Sequence, residues 1–130
     1  MQTKKVMIVD DDKEFLEELK ETLILSGYDV TAVNESVMAL KVARAVKPDV
    51  ILLDLKMRLM SGFEIADGLK HLQETSKVAV IAMTGFYTMR EHSWLMNFCG
   101  IRKCLKKPFN PLDVIAEIER VFEEKANGSV

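Results

Sequence analysis

The chain has 130 residues, 48% of them hydrophobic and 29% charged, with a formal net charge of −2; this length suits one domain burying roughly two-thirds of its unfolded surface. That charge excludes a broad electrostatic pull toward nucleic acid or an anionic membrane. No apolar run approaches the ~20 residues of a membrane span, and the first residues enter strand-like sequence with no signal-peptide apolar region.

Cys99 and Cys104 have neither zinc-type nor Cys-x-x-Cys spacing, so they read as reduced, apolar fillers and the compartment as the cytoplasm. Lys5-Val6-Met7-Ile8-Val9 is a short apolar run that ends in Asp10-Asp11-Asp12. Phe15, Leu16, Leu19 and Leu23 then recur at helical spacing. Asp11 or Asp12 serves as N-cap, Glu14 stands where a capping box from Asp11 would need it, and Gly27 is the stop. Tyr28 to Val33 reads as a second strand. Ser36 to Val46 reads as a second helix with Ala39, Leu40 and Ala43 inside, closed off by Pro48.

Val50-Ile51-Leu52-Leu53 is short and wholly aliphatic, the pattern of a strand buried on both faces. It delivers Asp54. Gly62 opens a third helix with Phe63, Ala66, Leu69 and Leu72 inward, and Gly68 weakens it by about 1 kcal/mol relative to Ala. Val78 to Met83 is a fourth strand running into Thr84-Gly85.

A fourth helix lies within Tyr87–Phe98, ended by Gly100. It is apolar nearly all round, so part of Trp94–Phe98 must stay exposed or meet a partner. Ile101 to Leu105 is a fifth strand leading to Lys106-Lys107-Pro108-Phe109. The last helix takes Asn110 as N-cap and Pro111 at its first position, with Leu112, Ile115, Ile118 and Phe122 as its apolar stripe. From Glu123 the sequence is polar and is expected to fray; the domain is assigned to 1–126, with 127–130 as a flexible tail.

Strict β-α alternation means an α/β doubly wound parallel sheet of five strands, with five helices on its two faces and right-handed crossovers. In strand order 2-1-3-4-5 the switch point falls between strands one and three. The strand ends then bring together Asp10, Asp11, Asp54, Thr84 and Lys107. Three like charges so close raise one another's pKa, and the usual relief is a hard cation; oxygen-only ligands favour Mg²⁺. An Asp nucleophile, a metal, a hydroxyl and a lysine make a workable phosphoryl-transfer site.

Val9-Asp10-Asp11, Leu53-Asp54-Leu55-Lys56-Met57 with Gly62, Met83-Thr84-Gly85 and Lys107-Pro108-Phe109 together resemble the receiver domain of two-component response regulators, from about Lys4 to Phe122. The resemblance implies the flavodoxin-like form of the fold and a phosphorylation-activated switch. Asp54 would be the phosphoacceptor, charged by a histidine kinase, a phosphotransfer protein or a small acyl phosphate. Asp11 and Asp54 would bind Mg²⁺ directly, with Asp10 assisting and the Lys56 backbone carbonyl completing the protein's share. Thr84 would hydrogen-bond the phosphoryl group, Lys107 would pair with it, and the Lys107–Pro108 bond would be cis.

The output would be a changed surface, read by a downstream protein or an attached output domain, or by a second copy through helix four, strand five and helix five. Lys56 and Phe86 would border the path of the hydrolytic water and slow loss of the phosphoryl group. Two positions depart from the family pattern: Arg58 stands at the usual proline and Cys104 at the usual aromatic. A looser or differently shaped loop beyond Asp54 is therefore expected. Output is expected to rest on backbone shifts after strands four and five, or on Phe86 or Tyr87.

An aspartyl-phosphate phosphatase is the alternative, but Lys56 occupies the place of its second acid, so a regulatory domain and not a turnover enzyme is expected. A nucleotide- or flavin-binding module lacks its Gly-rich loop after strand one. His71 and His92 are isolated on their predicted helices and read as neither ligand nor base.

Overall fold

The structure, a computed structural model, describes residues 3–85 and 89–128. The strands are β1 (Lys5–Val9), β2 (Asp29–Val33), β3 (Val50–Asp54), β4 (Ala79–Thr84) and β5 (Ile101–Lys106), in one parallel sheet ordered β2-β1-β3-β4-β5. The helices are α1 (Lys13–Leu25), α2 (Ala39–Val46), α3 (Gly62–His71), α4 (Met89–Phe98) and α5 (Pro111–Ala126). The fold class is the one read from the alternation of elements, and the strand order is the expected 2-1-3-4-5. No helix among the described residues is long and apolar enough to cross a membrane.

Period-two alternation divides the central strands between two cores. Met7, Val9, Ile51, Leu53, Val80 and Ala82 face α2, α3 and α4, where Ala39, Ile65, Leu69 and Met96 meet them. Val6, Ile8, Val50, Leu52, Ile81 and Met83 face α1 and α5, against Leu16, Leu19, Leu23, Val114 and Ile118. Every residue of β3 and β4 is buried. Each large aliphatic so placed contributes about 1.5–3 kcal/mol, and in β3 and β4 the one charged residue is Asp54, where β3 ends.

Several local expectations are corrected. The second helix opens as a 3₁₀ turn over Ser36–Met38 and becomes α-helical only at Ala39. The N-cap of α1 is Asp12, whose Oδ1 accepts from the Phe15 N–H at 3.2 Å, so no capping box runs from Asp11. In α3 Ala66 and Leu69 are buried as expected, but Ile65 is buried with them, while Leu72 is the C-cap.

Leu112 is 69% exposed, and the buried stripe of α5 is Val114, Ile118 and Val121. Leu112 sits two residues, about 200° of helix, from Val114 and so points outward. Nor does the chain fray at Glu123, since α5 continues to Ala126. Its last turn is docked: Glu124 pairs with Arg102, and the Lys125 ammonium donates to the Asp49 carbonyl at 3.1 Å.

Helix α4 departs from helical geometry at His92 (φ −123°, ψ 25°) and ends before Gly100, whose φ of +78° suits glycine. Met96 is fully buried, whereas Trp94 is 72% and Phe98 60% exposed. Its last carbonyls are met from α3, where the Lys70 ammonium donates to the Phe98 carbonyl at 2.7 Å.

Candidate active site

The carboxyl ends of β1, β3, β4 and β5 open onto one crevice. Where β1 stops, the Asp10 N–H still donates to the Val33 carbonyl of β2 at 3.1 Å. The Asp10 side chain therefore points into the protein and is fully buried. One of its oxygens accepts from the Asp12 N–H at 3.0 Å and the other from the Lys107 ammonium at 2.6 Å. Asp11, half-buried, turns toward the β3–α3 loop and accepts from the Arg58 N–H at 3.1 Å.

Asp54 closes β3 with its side chain 10% exposed. Its Oδ1 receives the Lys56 N–H at 3.4 Å, and its Oδ2 lies 3.8 Å from the Lys107 ammonium. Asp10, Asp11 and Asp54 each offer an oxygen, all within 4.8 Å of one another. Thr84, at the end of β4, is fully buried, and its carbonyl accepts the Lys107 N–H at 2.8 Å. All five side chains singled out in the sequence thus meet at one edge of the sheet.

Lys107 is held from several sides. Besides Asp10 and Asp54, its ammonium stands 4.1 Å from the centre of the Phe15 ring, and Phe15 meets Phe109 edge-on at 5.7 Å. The Lys107–Pro108 peptide is cis. Gly62 fixes the opposite wall: a Cβ there would stand 2.2 Å from the Asp54 carbonyl oxygen and 2.7 Å from the Leu55 Cα. No side chain fits between α3 and the backbone that carries Asp54.

The electrostatics follow from this packing. Burial, then the charge of Asp10, push the Asp54 carboxyl up to about 6; the Lys107 charge and the Lys56 N–H pull it back, and Asp11 adds to the rise. Three oxygens of this kind form a hard donor set suited to Mg²⁺. A cation among them would offset the burial and the like charges that raise the Asp54 carboxyl.

The neighbouring positions fall as follows. Lys56 is exposed, while Phe86 and Tyr87, with the roles expected of them, lie outside the described residues. Cys104 is half-buried, its thiol pushed up by burial, and lines an open hollow of about 470 Å³ with Lys106, Asn110, Asp113 and Glu117. His71 lies against its own helix, Nδ1 2.8 Å from the Asp67 carbonyl.

One residue near the site was missed in the sequence. Ser36 is 3% exposed, and its hydroxyl donates to the Arg58 carbonyl at 2.7 Å and accepts the Met60 N–H at 3.2 Å. No local pattern marks it, because its partners stand 22 and 24 residues away.

The chain is similar to known proteins. The family model described as the response regulator receiver domain matches residues 6–119. The chain is 36% identical over 84 residues to the polar-differentiation response regulator DivK of Brucella ovis, covering 65% of this chain and 68% of that protein. It is 33% identical over 126 residues to the transcriptional regulatory protein CpxR homolog of Haemophilus influenzae, covering 96% of this chain but 53% of that longer protein. Among solved structures, the Vibrio cholerae chemotaxis protein CheY4 superposes with a TM-score of 0.87 at 28% identity, over 92% of this chain and 99% of that one. A CheY-like receiver domain protein from Methanospirillum hungatei reaches 0.87 at 27%, over 97% and 99%.

Proposed function

The chain belongs to the response regulator receiver domains, and from that premise we propose that it is a phosphorylation-driven switch with Asp54 as acceptor and Mg²⁺ as cofactor. The observation that carries the reading is the convergence of Asp10, Asp11 and Asp54 within 4.8 Å, with Lys107 reaching two of them.

An Asp54 oxygen attacks the phosphorus of a phosphohistidine or small acyl phosphate in line with the leaving group. The new bond is the P–O bond of an acyl phosphate. The bond that breaks takes its electron pair away with the departing imidazole or carboxylate. Bound Mg²⁺ supplies neutralisation of the charge spread over the phosphoryl oxygens. Asp11 and Asp54 would hold it, with the Lys56 carbonyl, while Asp10 would assist and keeps Lys107 in place. Lys107 needs only a short swing from Asp54, 3.8 Å away, to face a phosphoryl group there. Thr84 hydrogen-bonds that group from β4. Nothing in this set performs turnover on a separate substrate, and the place of a phosphatase's second acid is Lys56.

Donors of the phosphoryl group are a histidine kinase or a phosphotransfer protein. The readout is a shift in population between two surfaces. With Cys104 at the family's aromatic position, that shift is carried by the backbone beyond β4 and β5. The exposed Trp94 and Phe98 favour a partner, or a second copy, docking on α4, β5 and α5.

Intact-mass measurement after acetyl phosphate and Mg²⁺ tests the chemistry. A single phosphoryl adduct is expected, lost in Asp54→Asn and without Mg²⁺. A folded wild-type protein that takes no adduct refutes the reading.

A further inference from the structure

We propose that Ser36 is a positioning residue for the metal-binding acids, acting through a strained turn at Arg58–Leu59–Met60. The inference rests on the reading that the acidic cluster takes Mg²⁺.

Among the described residues, Lys47 and Leu59 are the non-glycines with positive φ, at 54° and 72°. Lys47 is an ordinary left-handed helix C-cap. Leu59 has no such excuse. The Met60 N–H donates to the Arg58 carbonyl at 2.9 Å, closing a three-residue turn about Leu59. With positive φ at its centre this is the rare form of the γ-turn. Such a conformation persists only where its surroundings over-determine it.

Leu59 does not supply that constraint, since its side chain is 88% exposed. Ser36 does. Its hydroxyl donates to the carbonyl at one end of the turn and accepts the N–H at the other. Almost wholly buried, it makes both bonds out of competition with water.

The turn has a target. It aims the Arg58 N–H at Asp11 Oδ2, 3.1 Å away, and so fixes the rotation of that carboxylate. A proline at position 58 would have no N–H to give. Where the family pattern stiffens this loop with a ring, this chain pins it with a hydroxyl from the β2–α2 connection. The same short loop carries the Lys56 carbonyl. The side chain of Asp11 and the backbone that follows Asp54 are thereby set by one buried serine.

The test is Mg²⁺ titration calorimetry on phosphate-free protein, with the Arg58 amide followed by NMR. Ser36→Ala removes both bonds. Leu59→Pro forbids the positive φ from an exposed position, and Leu59→Gly accepts it freely. The Mg²⁺ dissociation constant is expected to rise about tenfold in Ser36→Ala and Leu59→Pro, the scale of lost outer support at a metal. It is expected to stay within about twofold of wild type in Leu59→Gly.

Unchanged affinity in both Ser36→Ala and Leu59→Pro overturns the inference, as does equal weakening in Leu59→Pro and Leu59→Gly. If Ser36→Ala does not fold, the Leu59 pair decides alone. A wild-type protein that takes up no Mg²⁺ would instead bring down the functional reading and this inference with it.

Discussion

Replacing Asp54 with Asn should make the metal-free protein more stable at neutral pH and leave it little changed in acid. The Asp54 carboxyl is pushed from 3.8 to about 6, chiefly by burial and by Asp10. A carboxyl raised in the folded state binds more protons there than in the unfolded chain between those two values. Stability therefore falls as pH rises from about 4 to about 6, and the penalty stays constant above that.

A rise of that size corresponds to about 3 kcal/mol. The crevice opens to solvent, which screens these charges and reduces the expected gain to about 1–2 kcal/mol. The assay is urea denaturation followed by far-UV circular dichroism in EDTA, at steps from about pH 4 to pH 8. The difference between Asp54→Asn and wild type should grow with a midpoint at about pH 5 and then level off. Saturating Mg²⁺ should stabilise wild type by about 2.7 kcal/mol at a hundredfold excess over its dissociation constant, and Asp54→Asn far less. Parallel stability curves for the two proteins across this range would refute the argument that burial and Asp10 strain the Asp54 carboxylate.

Gly62→Ala must displace the backbone of Asp54 or Leu55, because the new Cβ would stand 2.2 Å from a carbonyl oxygen; a loss of about 2–3 kcal/mol in urea is expected, with a slower phosphoryl uptake by mass. Lys107→Met leaves buried Asp10 without its cation and should cost about 3 kcal/mol, measurable as a lower urea midpoint, while the rate of adduct formation falls. Lys56→Ala should shorten the lifetime of the phosphoryl adduct several-fold, followed by mass after removal of acetyl phosphate; an unchanged lifetime removes the shielding role given to Lys56.

The parts of this protein legible in its sequence are those governed by one strong local preference. Val50-Ile51-Leu52-Leu53 can be only a strand with apolar layers on both sides, and in a parallel sheet the acid that ends such a run reaches the functional edge. The same reasoning located Asp10, Thr84 and Lys107, and the strand order then brought them together.

What escaped depended on helix phase or on distant partners. Leu112 is as apolar as Ile118, yet only the docking angle of α5 decides which of them meets the core. The last turn of α5 reads as polar and loose, but Lys125 and Glu124 find partners on Asp49 and Arg102. Ser36 reads as the start of a helix; its role comes from a loop more than twenty residues away. The Arg58 departure from the family pattern was visible in the sequence, but the hydrogen bond it makes available to Asp11 was not.

The clasp between the Lys107 N–H and the Thr84 carbonyl, 2.8 Å long, has a bearing on engineering. It joins the two ends of a long excursion, from Gly85 through α4 and β5, directly at the site. The Lys107 backbone takes its position from β4 itself, and the chain between need only return to that point. Substitutions at exposed Trp94 and Phe98 leave that backbone bond untouched, since neither residue takes part in it. A designer seeking new listeners for this domain would begin there.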